Sequence, residues 1–433
     1  MQVRVLPRAF MSRSILLTVA ALLLGAGASA QDPEPRGATP DVFRRFAARV
    51  VKLEVSETGS GAKATLGSGF FVTPAGHLVT NYHVVAKLVQ DPDRYTVELV
   101  DQAGARLAVR VLAVDVVHDL AVVATDRAAP AWFRLGPARL EQGSRLFALG
   151  HPRDLGLSIV EGTYNGLLRH TLYPRIHFTG SLNPGMSGGP TITGAGDVVG
   201  INVATAGNQV SFLVPAEQAA ALVARATAPG ELPAVDLAEV GRQIREYQDV
   251  YVATLFSDSL PTVTLGPWRL PTRPAPFFNC WADAERDDET PYERVDHDCS
   301  TDDLLFVSPE HSTGIVRFDH RLLTSERLNP FQFASLYTDE FQRSQWVSEA
   351  SADDVTPFSC KRNNVRGGAI TFKTEFCLRG YRRFPGLYDA VLRAAPLGRA
   401  RAGVVTTLSL AGVSFENAQA LARRYLGSIT WAP

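Results

Sequence analysis

Hydrophobic and polar positions along the first half of the chain change over in short bursts. From about residue 54 to Val214 the runs LGSGFFVT, HLVTNY, YTVELV, RLAVRVLAVD, DLAVVAT, RLFALG, LSIVEGTYNG, RIHFTG, DVVGINVAT and VSFLVP are rich in β-branched and aromatic residues, and Gly, Pro and Asp separate them. Many brief strands at this spacing predict an all-β barrel or sandwich. Ahead of them, residues 41 to 53 (DVFRRFAARVVKL) set Val42, Phe43, Phe46 and Val50 near helical spacing, which predicts a short amphipathic helix. Behind them, AEQAAALVARA predicts a closing helix and TAPGELPAV a linker. The β-rich unit is therefore placed at 41–228, the linker at 229–236 and a second domain at 237–433. That second domain reads as α+β: a long helix in LAEVGRQIREYQDVYVATLF, a strand in AGVVTTLSLAG and a last helix in FENAQALARRYLGSI. The aromatics of LNPFQFASLYTDEFQ offer a partner surface, although such stripes are more often core.

The first thirty residues have another character. Arg4, Arg8 and Arg13 precede an apolar stretch from Ile15 to Gly27, and Ala28-Ser29-Ala30 has the small side chains of a cleavage site. Residues 1–30 are expected to be an export signal and 31–40 a polar leader. The apolar stretch is shorter than the roughly 20 residues that span a bilayer, so no membrane span is expected once the signal is removed. A formal charge of −1 over 433 residues, with no block of like charges, argues against a nucleic-acid partner. The four cysteines fall into two local pairs, Cys280 with Cys299 and Cys360 with Cys377, as expected of disulfides in an oxidising, exported protein. A metal site including His297 is the weaker alternative, since no C-x-x-C pair exists, and no metal is expected.

Three stretches carry chemistry. In GSGFFVTPAGHLVTNYHVV, the Pro-containing turn at 73–76 predicts a hairpin between GSGFFV and HLVTN, with His83 on its exit. In DVVHDLAVVA, Asp119 opens an apolar strand, where a carboxylate can accept an imidazole N–H and fix the tautomer. Asp115 is the other acid nearby, ahead of the strand start. In NPGMSGGPTI, three glycines surround Ser187 and let successive backbone N–H groups converge, as an oxyanion hole requires. Each feature alone has a bland reading: a core histidine, a turn aspartate, a Gly-rich hairpin. Their order, His then Asp then Ser inside a β-rich region, is that of the chymotrypsin-type barrels.

On these stretches, together with ALGHPRDLGLSIVEGTYNG and VVGINVAT, residues 67 to 215 resemble the trypsin-like serine proteases of the HtrA (high-temperature-requirement, or Deg) group. The resemblance implies a double β-barrel, peptide-bond hydrolysis and protein or peptide substrates, with no cofactor. It implies His83 as general base, Asp119 as its orienting carboxylate, Ser187 as nucleophile, and the N–H groups of Gly185 and Ser187 as the oxyanion hole. Met186 stands where that group usually has Asn, and no peptide-binding PDZ module is recognisable in the C-terminal half. The stretch IHFTGSLNPGM has no acid, so cleavage after Arg or Lys is disfavoured. Leu182, with Val203, Ala204 and Thr205 opposite, suggests small or medium apolar residues, unless these are simply core. That group often forms trimers through its N-terminal segment, a role open to Phe43 and Phe46, which could equally cap the barrel; an oligomer is possible. Two rival readings compete with this one. Gly185-Met186-Ser187-Gly188-Gly189 also fits the nucleophile elbow of an α/β-hydrolase, which needs a helix after the serine. A chaperone-like or partner-binding protein on a protease scaffold is the other.

Overall fold

Seven strands make the first sheet, in the order Arg106–Ala108, Tyr95–Val100, Val50–Glu57, Lys63–Phe71, His77–Thr80, Leu120–Ala124 and Arg110–Asp115. Its two outer strands are consecutive in the chain and separated only by Val109, whose N–H donates to Val97 O at 3.2 Å, so the sheet curls round into a barrel. The structure is a computed structural model describing residues 39 to 431 except 137–139, 231–233, 258, 286–288, 302–304 and 344–349. The expected export signal, and the leader up to residue 38, lie outside the described residues.

The hairpin read at 73–76 is present, with Phe70 opposite Val79 and Phe71 opposite Leu78. The N-terminal helix is shorter than the spacing predicts. It runs over Thr39–Phe46, one 3₁₀ turn comes next at Ala47–Arg49, and Val50–Glu57 is a strand. Val50 and Val51 are β-branched and pair with Phe70 and Gly69, so strand pairing outweighs a helical period that their sequence also satisfies. Phe46 is buried and stacks on Phe133 at 5.7 Å, which makes it part of the barrel core.

The second barrel is closed. Its six strands run in the order Ile176–Thr179, Ser211–Pro215, Val198–Thr205, Pro190–Ile192, Arg145–Gly150 and Ser158–Leu167, the last pairing back with the first. One buried cluster, including Phe70, Phe133, Phe147, Leu149 and Ile201, draws on both barrels and joins them. Helix Ala216–Ala226 ends this part. The fold is thus a double β-barrel of chymotrypsin type with a further β-rich region behind it.

That region is built on a second seven-stranded sheet, all antiparallel, from Phe278–Glu285 at one edge to Ser359–Gly367 at the other. Helices Leu237–Ser257, Pro330–Arg343 and Phe415–Ser428 accompany it. Cys280 faces Cys299 and Cys360 faces Cys377 on paired strands, with sulfurs 2.03 and 2.04 Å apart. His297 lies beside the first pair, but sulfurs bonded to each other are not thiolate ligands. On helix Pro330–Arg343, Phe333 and Phe341 are buried while Phe331 is exposed. One apolar cluster runs from Val51, Leu53, Val84 and Val85 of the first barrel to Tyr247, Tyr251, Phe318 and Tyr381, and the described residues form one compact unit. Among them, no helix is long and apolar enough to cross a membrane.

Two buried histidines are expected to lower the stability of this unit in mild acid. Burial pushes His320 down to about 3; its Nε2–H donates to Pro271 O at 2.6 Å, and Nδ1 accepts from Thr406 Oγ1 at 2.8 Å. Burial, with the Lys52 charge nearby, pushes His151 down to about 4. Both stay neutral in the folded state near pH 5, whereas in the unfolded chain they take up protons below about 6.5. The unfolded state therefore binds more protons as pH falls through 6.5, and each histidine costs about 1.4 kcal/mol of stability per further pH unit until its own folded value is reached. Melting temperature should drop between pH 7 and 5, with a shallower slope in His320→Gln; a flat wild-type profile would contradict this.

Candidate active site

His83 is the second residue of helix Tyr82–Gln90, which begins directly after strand His77–Thr80 and Asn81. Its backbone N–H, one of the donors that a helix start leaves unpaired, donates to Asp119 Oδ1 at 2.9 Å. Its Nδ1 lies 2.7 Å from Asp119 Oδ2. A carboxylate there fixes the proton on Nδ1 and leaves Nε2 as the basic nitrogen. Asp119 is buried and takes a left-handed backbone (φ 58°) at the end of a turn, while Asn81 Nδ2 donates to its carbonyl at 2.7 Å. The turn is also held from far along the chain. Gln243, on helix Leu237–Ser257, accepts from Val116 N–H at 2.7 Å and donates to Val114 O at 3.1 Å. Asp115 does not reach His83; it pairs with His118 at 2.8 Å.

The serine loop is packed against the same strands. Ser68 N–H donates to Ser187 O at 2.8 Å, Ser68 Oγ to Gly185 O at 2.7 Å, and Thr80 Oγ1 to Ser68 O at 2.7 Å. Asn202 braces the other side, its O accepting from Gly188 N–H at 2.9 Å and its Nδ2 donating to Met186 O at 3.2 Å. Met186 itself is buried in the second barrel with Leu146, Ile176 and Phe178, so its side chain packs inward and only its backbone belongs to the loop. Gly185 has φ 96°. Among the described residues, the N–H groups of Gly185 and Ser187 donate to no protein acceptor. Ser187 Oγ donates to Val203 O at 3.5 Å, and among the described residues it has no hydrogen bond to His83. The structure therefore joins His83 to Asp119 and sets Ser187 on the adjoining loop with its hydroxyl turned toward strand Val198–Thr205. Strand Pro190–Ile192 comes directly after the serine loop, in place of the helix that the α/β-hydrolase reading requires.

Val203, Ala204 and Thr205 line a cavity of about 630 Å³, together with Phe212, and with Phe306 from the C-terminal region. No carboxylate lies among the described residues lining it. Leu182 is elsewhere, buried with Ile176, Phe178, Met186 and Leu213 in the second barrel. The Phe306 ring centroid is 4.9 Å from that of His83. Nothing in the sequence signals this contact or the Gln243 brace, because an apolar residue in a strand and an amide on a helix both have ordinary structural readings. Ser68 is visible in the sequence only as part of the Gly-rich run at 67–69.

These features define a trypsin-like peptidase domain, and residues 67–201 match the family model of that description. The proteins it is similar to are serine proteases. Its relatives include the chloroplastic protease Do-like 5 of Arabidopsis thaliana, 33% identical over 192 residues, covering 38% of this chain and 59% of the relative. They also include a probable periplasmic serine endoprotease, DegP-like, of Pseudomonas fluorescens, 32% identical over 181 residues, covering 40% of this chain and 37% of the relative. The chain thus spans less than two thirds of the length of either. Among solved structures, the serine endoprotease from Yersinia pestis matches at 23% identity over 45% of this chain and 68% of that one, with a TM-score of 0.38.

Proposed function

We propose that this chain is an exported serine endopeptidase that cleaves unfolded or damaged proteins after small or apolar residues. The observation that carries the reading is the double acceptance by Asp119 of the His83 backbone N–H and of Nδ1–H, beside a serine loop with two unpaired N–H donors. In the reaction, Ser187 Oγ bonds to the scissile carbonyl carbon while its proton passes to His83 Nε2. The oxyanion is held by the N–H groups of Gly185 and Ser187. Collapse breaks the C–N bond as His83 returns the proton to the leaving amine, and water, deprotonated by His83, releases the acyl group in the same way. The cavity by Val203–Thr205 is lined by Arg169 and Arg175 and, among the described residues, by no carboxylate, so a cationic side chain entering it would lose its hydration and meet like charge, while Val203, Ala204, Phe212 and Phe306 offer an apolar wall. Export is supported by the residue pattern of 1–30, by the two cystines and by the periplasmic description of the Pseudomonas relative.

A second reading has one observation in its favour. The Ser187 hydroxyl bonds to Val203 O rather than to His83, as in a catalytically weak, partner-binding protein on the same scaffold. Digestion of a reduced, unfolded protein separates the two. The protease fragments it, and Ser187→Ala does not; equal rates for both proteins, or turnover confined to small esters, would reject the endopeptidase.

A further inference from the structure

One hairpin of the C-terminal region, Leu305–Ser308 with His311–Thr313, reaches the active site. It is fastened to the helix that carries His83. Val307 O accepts from Tyr82 Oη at 3.2 Å and from Gln90 Nε2, and Glu310 pairs with Lys87 at 2.8 Å. Side chains alternate across a strand, and here Leu305 and Val307 are buried, which turns Phe306 between them the other way. That direction is toward the catalytic groups. The Phe306 ring lies against the imidazole of His83 and lines the same cavity as Val203, Ala204 and Thr205.

Val203 O lies 3.5 Å from Ser187 Oγ, so a peptide with its scissile carbonyl at Ser187 has a backbone acceptor beside it on strand Val198–Thr205, along which its preceding residues can pair as an added strand. The side chain one residue before the cleaved one then falls between that strand and the His83 ring. Phe306 already borders this space. We infer that Phe306 is a specificity-determining residue, which closes that subsite to large side chains and so makes the C-terminal region part of the substrate cleft. The inference rests on the endopeptidase reading and adds to it a selection at the second acyl-side position. A small residue fits beneath the ring, while a large one must push aside a hairpin held by three side-chain contacts.

The test compares full-length wild type, Phe306→Ala, Phe306→Leu and Ser187→Ala on paired fluorogenic peptides that differ only in carrying Ala or Trp at that second position. The expected result is a kcat/KM ratio, Trp over Ala, that rises about tenfold in Phe306→Ala and by less in Phe306→Leu, since a pocket wall changes discrimination on that scale. Loss of stability alone would lower both peptides together and leave the ratio unmoved. If Phe306→Ala does not fold, as judged by its melting transition, Phe306→Leu carries the comparison. Ser187-dependent turnover with an unchanged ratio, or a shift toward Ala, overturns the inference while the endopeptidase reading stands. Absence of Ser187-dependent turnover from the wild type overturns both.

Discussion

Asp119→Asn is expected to lower kcat on an unfolded protein substrate about 10⁴-fold while leaving KM within a few-fold of wild type. The asymmetry of the carboxamide is the cause. Asp119 accepts two hydrogen bonds from His83, at Oδ1 from the backbone and at Oδ2 from Nδ1–H. Asn offers one oxygen and one NH₂. If the oxygen keeps the helix-start N–H, the NH₂ faces Nδ1 and stabilises the tautomer with its proton on Nε2, which has no lone pair for the Ser187 proton. Substrate binding does not use this carboxylate, so KM should hold. Asp115→Asn is the internal comparison, because Asp115 serves His118 rather than His83, and it should retain most activity. Steady-state kinetics of the two variants check this; similar losses in both would contradict the assignment.

Gly188→Ala should be nearly as damaging, through structure. Gly188 has φ 83°, and a Cβ there would lie 2.3 Å from both Ser68 O and Thr80 Oγ1 and 2.9 Å from Asn81 N. Ser68 is fixed by strand Lys63–Phe71 and Thr80 by strand His77–Thr80, so neither can retreat without moving the segment that leads into His83. Left-handed strain and overpacking together amount to about 3 kcal/mol or more. Urea unfolding should show that loss, with hydrolysis reduced beyond what the folded fraction explains, since the loop shift also displaces the Gly185 and Ser187 donors. A variant with wild-type midpoint and activity would show that the loop is not seated as described.

Much of the barrel was legible because strands that bury one face leave a period of two, and because Gly, Pro and Asp mark their turns. His83, Asp119 and Ser187 were legible as an order of motifs within that pattern. The helix at the N-terminus overran because Val50 satisfies a helical period and a strand equally, and only its partner Phe70 decides. Phe306 was illegible for a deeper reason. Its contact with His83 joins residues more than two hundred positions apart, and a phenylalanine flanked by Leu305 and Val307 has the local pattern of any core strand. The turn of the Ser187 hydroxyl toward Val203 is a choice of side-chain rotamer, which no sequence pattern encodes.

Whether the imidazole, the carboxylate and the hydroxyl act as one unit can be read in a single experiment, labelling with a fluorophosphonate and then mass spectrometry of the peptides. One adduct, on Ser187, is expected in the wild type, with labelling slowed by orders of magnitude in His83→Ala and lost in Ser187→Ala. Equal labelling of all three proteins, or an adduct on another residue, would contradict the assignment.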